Sequence, residues 1–182
     1  MRRATNADCE PVRNLVFTVL GEYHLAPDPA CTDADLRDIE QSSFHRGGVF
    51  YVLEEKDGSV IGSYGLYPMS DQRLETGGER PETPVETQNL ASPRLQPTAS
   101  PNTCELRKMY LRRDYRGKGH GKRLLDDALA EARRFGFQTV TLETASVLKE
   151  AIRLYERYGF QPYSPAHLPP PRCDHAYILE VK

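Results

Sequence analysis

The chain lacks the features that mark several common classes of protein. None of its apolar runs approaches the roughly 18 residues that a membrane span requires. It has no excess of one charge, because 24 Lys and Arg residues face 26 Asp and Glu residues and leave a net charge of −2. This balance argues against general nucleic-acid binding and against a polybasic membrane anchor. The first residues, MRRATNADCEPV, carry basic side chains without a following apolar segment, so we expect no secretory signal and a cytoplasmic protein.

Cysteine is scarce, and its spacing gives no metal motif. The four cysteines, at positions 9, 31, 104 and 173, include no Cys-x-x-Cys pair, and in a cytoplasmic protein we expect reduced thiols. His167, Cys173 and His175 lie close in sequence, but residues 169–171 are prolines and no fourth ligand has a suitable spacing. We therefore predict no bound metal.

The pattern of apolar residues predicts one mixed α/β domain over residues 1–182. Helical periodicity predicts four helices. They begin after an N-cap at Asp8, at a capping box of Thr32 and Asp35, after the glycines before residue 122, and at LKEAIRLYERYG, a helix that ends at Gly159. The β-rich runs are RRAT, GVFYVLEE, SVIGSYGLY, TCELRKMYL, FQTVTLE, FQPYS and HAYILEV. The resulting order, β-α-α-β-β-β-α-β-α-β-β, predicts a mostly antiparallel first half and two helical crossovers in the second half.

Residues 70–103 have a different composition. They contain five prolines, many Thr, Ser and Glu residues, and no aromatic residue. Such a segment buries too little apolar surface to offset the entropy that it would lose on ordering. We predict a long, mobile insertion between two strands, too short to be a domain of its own.

The stretch DYRGKGHGKRLL, residues 114–125, places three glycines and several cations directly before a helix. Residues 107–123 hold eight Lys or Arg residues and one acid, so positive charge is concentrated there. Free backbone N–H groups and the helix dipole at such a turn attract phosphate, and glycines let a ligand come close. The alternative is an ordinary solvated loop with a basic face.

The spacing of these glycines excludes two common phosphate motifs and fits a third. A P-loop needs Ser or Thr after Gly-Lys, where the chain has Arg123, and the glycines do not follow G-x-G-x-x-G. The pattern R-x-x-G-x-G fits, with Arg116, Gly119 and Gly121 after the strand ELRKMYL. In this context the motif resembles the acyl-coenzyme A site of the GNAT acetyltransferase superfamily.

A second motif strengthens the resemblance. Within LETASVLKEAIRLYERYGFQPY, the family pattern A-x-x-L-Y-x-x-x-G-F is matched by Ala151, Leu154, Tyr155, Gly159 and Phe160. The resemblance is specific over residues 103–163. One position departs from it, because many members carry Asn where this chain has Leu148.

The resemblance implies a fold, an activity and a coenzyme site. The fold would be a central mixed, mostly antiparallel sheet flanked by helices, and the activity would be an N-acetyltransferase that uses acetyl-CoA without a metal. The Met109 N–H would meet the acetyl carbonyl, and the main chain at Leu111 would pair with pantetheine. The pyrophosphate would lie on the turn that follows Arg116, held by the amides of Gly117, Lys118, Gly119, His120, Gly121 and Lys122.

Two residues are candidates for the proton transfers that amine acetylation needs. Glu105 lies eleven residues before Arg116, a placement similar to that of the catalytic glutamate in some family members, and we predict a general base acting directly or through water. The charges of CELRKMYL independently indicate a wet cleft, because a strand inside a sheet is normally apolar; the alternative is a Glu105–Arg107 ion pair on an exposed face. Tyr155 matches the family tyrosine that faces the coenzyme sulfur, and we predict a general acid; the alternative is an ordinary core tyrosine.

We therefore predict direct transfer from acetyl-CoA to a primary amine in a ternary complex, because no cysteine lies in a nucleophile-like motif. The alternatives are a coenzyme A-binding sensor or interaction module without activity, and an enzyme with another acyl donor. The acceptor is expected to be a small-molecule or peptide amine, with no nucleic-acid or membrane partner. The sequence leaves open whether the protein forms a homodimer.

The acceptor itself is not readable from the sequence. Residues 22–35 and 164–173 are expected to select it. Asp28, Asp33 and Asp35 suit a cationic amine, although helix capping explains them equally well. Glu143, at the end of its strand, is expected to contact either the acceptor or a surface cation.

Overall fold

The computed structural model describes residues 1–69, 102–165 and 170–181. Within these ranges the chain forms a seven-stranded sheet with helices packed on its two faces. The predicted insertion at 70–103 lies outside the described residues except for Asn102 and Thr103, so its mobility stays a prediction.

The elements follow the predicted order along the chain. The strands are β1 (Arg2–Arg3), β2 (Val49–Glu54), β3 (Val60–Pro68), β4 (Thr103–Leu111), β5 (Thr139–Thr144), β6 (Gln161–Pro162) and β7 (His175–Glu180). The helices are α1 (Cys9–Glu22), α2 (Ile39–Ser42), α3 (His120–Arg134) and α4 (Lys149–Arg157). Short 3-10 turns at Asn6–Asp8, Ala34–Arg37, Phe44–Arg46 and Arg113–Tyr115 join some of them.

The sheet is mixed and mostly antiparallel, as predicted. Its strand order is β1-β2-β3-β4-β5-β7-β6. The described pairs are antiparallel except for β4 and β5, which are parallel and are joined by the crossover helix α3. After α4 the chain passes β7 and forms β6 at the edge. The second helical connection therefore skips one strand.

Two apolar clusters form the core, one on each face of the sheet. Helix α3 buries Leu124, Leu125 and Ala128 against one face, and Tyr155 of α4 joins the same cluster. Helix α1 covers the other face with residues that include Val12, Val16 and Leu20. These side chains recur every three to four residues, so each helix presents one apolar stripe to the sheet.

Of two local predictions about helix caps, the Thr32–Asp35 capping box was wrong, and the N-cap at Asp8 is confirmed in position but makes no side-chain cap bond. Residues 32–40 form a 3-10 turn and then α2, and Asp38 between them is extended. The Thr32–Asp35 capping box does not form; Asp38 Oδ1 accepts the cap hydrogen bond from Gln41 N at 2.8 Å. Asp8 does precede α1, but its side chain makes no cap contact there and instead accepts two hydrogen bonds from the Arg2 guanidinium, each at 2.8 Å.

Candidate active site

The central feature of the site is a fork between β4 and β5. The two strands pair only as far as Glu105 and Thr141, although β4 continues to Leu111 and β5 to Thr144. A cavity of about 860 Å³ opens at the fork, and every β4 residue from Glu105 to Leu111 lines it. Such a strand edge offers main-chain groups to an extended ligand.

A β-bulge in β4 decides which side chains point to which face. The register between β3 and β4 shifts between Ser63 and Gly65, so that Lys108 and Met109 together face Tyr64. Lys108 has a φ of +54°, a left-handed conformation that is uncommon for residues other than glycine. The Ser63 hydroxyl donates to the Lys108 carbonyl at 2.8 Å and fixes this geometry.

The cavity has two sides, which we name after the nearest helix. The α4 side is formed by Met109, Leu148, Leu154, Tyr155 and the turn 117–122. The α1 side is formed by Glu105, Arg107, Glu143, Arg172 and Cys173. Glu105 lies on the α1 side because its neighbours Cys104 and Leu106 both belong to the apolar cluster of α3 and α4.

On the α4 side, Tyr155 is both a core residue and a cavity residue. It is buried, its ring lies 5.7 Å from that of Phe160, and it lines the cavity. Its hydroxyl lies 3.9 Å from Met109 Sδ, which is a weak acceptor. Burial raises the pKa of Tyr155 above its ordinary value of 10. The phenol is therefore protonated near neutral pH.

The glycine turn has an open surface. Gly117 and Gly119 have φ values of +72° and +86°, a conformation that favours glycine. A Cβ at either position would meet nothing within 4 Å, so the space beside both glycines is open. Gly121 has no positive φ, and a Cβ there would lie 3.7 Å from Leu154 Cδ2.

The first turn of α3 continues this surface. Arg123 N donates to the Gly119 carbonyl at 3.0 Å. The N–H groups of His120, Gly121 and Lys122 therefore precede the helical ladder, where an anion can accept hydrogen bonds from them. The Lys122 ammonium is held 2.8 Å from Asp126.

Arg116 ties this turn to its neighbours. Its Nη1 donates to Glu22 Oε2 at 2.6 Å, and its Nε donates to the Leu111 carbonyl at 3.0 Å. Its Nη2 is buried and has no hydrogen-bond partner among the described residues. Nη2 of Arg116 is thus left for a ligand, while Nη1 and Nε join the turn to Glu22 and to the end of β4.

On the α1 side, Glu105 and Arg107 are neighbours at the cavity. Arg107 Nε lies 3.8 Å from Glu105 Oε1, and both side chains are partly exposed, at 29% and 26%. Both side chains line the cavity, which the prediction of a wet cleft requires, and the alternative ion pair is also present, at a distance too long for a hydrogen bond. Lys108 does not belong to the wet part, because its side chain is 3% exposed.

The acidic residues of the loop after α1 do not form a free cation site. Asp33 is completely buried and lies 2.7 Å from Lys108 Nζ and 2.6 Å from Arg172 Nη2. Burial raises the pKa of Asp33, but hydrogen bonds from Arg172 and Lys108 outweigh burial and hold the pKa at about 2. The Asp28 carboxylate caps its own loop by accepting from Cys31 N and Thr32 N, each at 3.1 Å.

Sequence reasoning missed the Asp33 cluster. Asp33 accepts from Lys108 and Arg172, which lie 75 and 139 residues away along the chain. The only sequence signal was the expectation that residues 22–35 and 164–173 select the acceptor. The structure does bring residues of both segments to the cavity, among them Thr32 and Arg172.

The remaining predicted ligands and partners are placed as follows. Glu143 lines the cavity on the α1 side. Burial raises the pKa of the nearby Cys173 thiol to about 11, so this thiol is a poor nucleophile near neutral pH. In the described ranges no three His, Cys, Asp or Glu side chains group as a metal site, and His167 lies outside those ranges. None of the described helices has the length and apolarity needed to cross a membrane.

The chain is similar to known acetyltransferases in sequence. The model of the acetyltransferase (GNAT) family matches residues 14–160. The uncharacterized N-acetyltransferase YjgM of Escherichia coli (strain K12) is 34% identical over 163 residues, which cover 88% of this chain and 81% of that protein. N-acetyltransferase family 8 member 2 of Rattus norvegicus is 28% identical over 81% of this chain and 52% of its own length.

Solved structures share the fold. A GNAT-family acetyltransferase from Staphylococcus aureus Mu50 superposes with a TM-score of 0.77 at 18% identity, over 100% of this chain and 98% of that one. YncA of Salmonella typhimurium, solved with its cofactor acetyl-CoA, gives a TM-score of 0.64 at 22% identity, over 100% and 92% of the two chains. The fork, the bulge and the glycine turn all lie within the matched residues 14–160, and the chain belongs to the GNAT family of acetyltransferases.

Proposed function

We propose that the protein transfers the acetyl group of acetyl-CoA directly to a primary amine. The observation that carries this proposal is the fork in the sheet. It opens one cavity to both faces, with Tyr155 on the α4 side and Glu105 on the α1 side. A donor lying on the α4 side and an amine lying on the α1 side would meet beside β4.

The residues present fit the donor. The buried, unpartnered Arg116 Nη2 and the open space above Gly117 and Gly119 suit a pyrophosphate. The edge of β4 at Leu111 suits pantetheine, and the Met109 N–H, next to the bulge, suits the acetyl carbonyl. When bound, acetyl-CoA supplies an activated thioester.

Two side chains would move the protons. Glu105 would take a proton from the acceptor ammonium, directly or through water, which frees the nitrogen lone pair for attack. The Tyr155 hydroxyl would donate to the sulfur as negative charge develops there. The raised pKa of Tyr155 supports this assignment, since the donor must be protonated at working pH.

Coenzyme binding and turnover test the proposal together. Acetyl-CoA should raise the melting temperature by mass action, and a panel of primary amines should release free thiol from it. Gly119→Val should abolish both effects while the protein stays folded. The absence of any shift at millimolar acetyl-CoA would contradict the proposal. A shift without thiol release from any amine would indicate a coenzyme-binding module instead.

A further inference from the structure

Among the described residues, three cations line the α1 side of the cavity, and two of them are paired with the same buried carboxylate. Lys108 Nζ lies 2.7 Å from Asp33 Oδ1 and 2.7 Å from the Thr32 carbonyl. Arg172 donates two hydrogen bonds to Asp33, at 2.8 and 2.6 Å. Both cations are therefore paired with a buried carboxylate, and their side chains are only 3% and 11% exposed.

Arg107, the third cation, is held differently. Among the described residues its guanidinium makes one hydrogen bond, from Nη2 to the Thr32 carbonyl at 3.4 Å. Its carboxylate neighbours, Glu105 and Asp35, lie at 3.8 Å, well beyond the roughly 2.7–2.9 Å of a charge-assisted hydrogen bond. The guanidinium carbon lies 5.0 Å from the centre of the Tyr67 ring, which orients it. Arg107 is thus oriented and partly exposed at the cavity, and most of its N–H donors make no hydrogen bond to the described residues.

The Arg107–Glu105 pair presents opposite charges to the same space. Arg107 Nε and Glu105 Oε1 are 3.8 Å apart. An α-amino acid carries its ammonium and its carboxylate on one carbon, so it offers the complementary charges at a comparably short separation. A planar guanidinium also matches a carboxylate in geometry.

Other ligand chemistries fit this space less well. A phosphate dianion on Arg107 would be repelled by Glu105, Asp35 and Glu143, which all lie near it, and unlike an amino acid it brings no ammonium to offset this repulsion. A plain amine would place a second positive charge beside Arg107 without using its donors. Lysine side chains and the amino termini of peptides have no carboxylate on the carbon that bears the amine.

We propose, building on the acetyl-transfer function, that the acceptor is a free α-amino acid and that Arg107 binds its carboxylate. In the reaction the α-nitrogen forms a bond to the acetyl carbonyl carbon, and the carbon–sulfur bond breaks with its electron pair leaving on sulfur. Glu105 receives the first proton from the ammonium, and the nitrogen loses a second proton as the amide forms. The Tyr155 hydroxyl protonates the leaving thiolate to a thiol and is itself restored by that second proton, which solvent relays. The products are an N-acetyl amino acid and free coenzyme A.

Matched acceptor pairs test this assignment. The probes are L-leucine, L-methionine and L-phenylalanine, each compared with its carboxamide. In the native protein kcat/KM should be higher for the acid than for the amide in at least one pair. This preference would hold although the α-amine of the carboxamide is less basic than that of the acid and is more easily deprotonated. Arg107→Gln should lower kcat/KM for that acid on the order of 10²-fold. The loss should fall mainly on KM, because the carboxylate does not change during the reaction.

The amide serves as the internal control for any effect of the variant on Glu105. Arg107→Gln should change kcat/KM for the amide little, and Arg107→Lys should keep part of the preference for the acid. Arg46→Gln, at an exposed arginine away from the cavity, should change neither. An unchanged melting-temperature shift with acetyl-CoA would show that Arg107→Gln is folded and binds the donor.

The inference and the proposed function fail in different ways. If amides equal or exceed acids in every pair, or if Arg107→Gln lowers both equally, Arg107 positions Glu105 and binds no carboxylate. Thiol release with amides or simple amines but with no free amino acid also overturns the inference and leaves acetyl transfer standing. Absence of thiol release with every acceptor overturns both.

Discussion

At the scale of single residues, Tyr155 combines a packed ring with a hydroxyl whose hydrogen-bond partner among the described residues is the weak acceptor Met109 Sδ. Tyr155→Phe keeps the ring and removes the hydroxyl. We expect kcat to fall by about 10²-fold, at the low end for acid–base groups because a coenzyme thiolate is already a fair leaving group. The affinity for acetyl-CoA should hardly change, since the hydroxyl is needed only where charge develops. Steady-state kinetics and a coenzyme titration measure the two quantities.

A matched tyrosine provides the control. Tyr51→Phe removes a hydroxyl that is bonded to Glu131 at 2.8 Å, away from the cavity, and it should leave kcat unchanged. Full activity of Tyr155→Phe would show that the tyrosine serves the core alone.

Glu105→Gln should show its effect through pH. A base matters most where the acceptor amine is protonated, so kcat/KM should fall on the order of 10²-fold below the pKa of the amine. The deficit should shrink as the pH rises through that pKa, because solvent then supplies the free amine. A profile between about pH 6 and pH 10 covers the range for α-amines. A deficit of equal size at every pH would assign Glu105 to binding instead of proton transfer.

Single residues could be predicted where one local motif specifies them. Arg116, Gly119 and Tyr155 were found from short spacings, and all three line the cavity. Arg172 could not be assigned this way, because its meaning depends on a contact with Asp33, 139 residues away. The same holds for the contacts of Arg107 with Thr32, Asp35 and Tyr67, which only the folded chain brings together.

At the scale of elements, the fold requires glycine in the turn before α3 but not inside helix α1. Gly119 has a φ of +86°, and an alanine in this left-handed region costs about 1–2 kcal/mol. Gly119→Ala should therefore lower the free energy of unfolding by this amount and weaken coenzyme binding. Gly21→Ala, in α1 with nothing within 4 Å of its new Cβ, should instead stabilise the protein by up to about 1 kcal/mol. Urea unfolding of both variants checks the opposite signs, and equal effects would contradict the conformational argument.

The buried Asp33 should make stability depend on acid. Its pKa is about 2 in the folded protein against an ordinary value of 3.8, so its stabilisation is complete above the ordinary value and is lost as the pH falls toward 2. Asp33→Asn should cost about 3–5 kcal/mol near neutral pH, because it leaves two buried cations without a carboxylate.

Thermal unfolding over a pH series measures this difference. The gap in melting temperature between the native protein and Asp33→Asn should narrow as the pH approaches 2. Asp114→Asn, at a side chain that is 78% exposed, should show no comparable gap. A gap that stays constant down to the lowest pH would mean that the Asp33 carboxylate is not the stabilising group.

Elements with a long regular pattern were predicted well. Helices α1 and α3 follow from their apolar stripes, and strands β2, β3 and β4 lie within a residue or two of the runs in the sequence. The second helix was predicted in the right order but with the wrong cap, because capping at Thr32 and Asp35 competes with tertiary contacts. Asp35 accepts a hydrogen bond from Tyr67 at 3.3 Å and is not used in a capping box. The bulge at Lys108 was also invisible, since no glycine marks its positive φ.

At the scale of the whole molecule, the segment between β3 and β4 can be tested for its part in stability. Pro68 and Cys104 are partners in the sheet, and Met69 N donates to the Thr103 carbonyl at 2.9 Å. The two ends of the segment are therefore held together by the fold. Replacing residues 75–99 by a short Gly/Ser linker should change the free energy of unfolding by less than about 1 kcal/mol, because loop closure depends weakly on length. Denaturant unfolding measures it, and loss of a cooperative transition would show that the segment packs on the fold.

The overall architecture was predictable because the order of elements and two motifs agree on one family. The acceptor was not, because the surface proposed to bind it combines residues from a loop near the N-terminal end of the chain, a central strand and a loop near the C-terminal end. Asp28, Asp33 and Asp35 illustrate this limit. Their charges suited a cation in the sequence, whereas in the structure Asp33 is neutralised by Lys108 and Arg172.

The bulge at Lys108 has a consequence for how such a protein can diverge. It reverses the alternation of β4, so that Leu106 and Met109 both lie on the face of α4, whereas Arg107 and Tyr110 both lie on the face of α1. Substitutions at Arg107 can therefore accumulate in a duplicated gene without replacing the proposed base Glu105 or the residues proposed to face the donor. A lineage built on this strand inherits its acetyl chemistry intact and is free to change the molecule on which that chemistry acts.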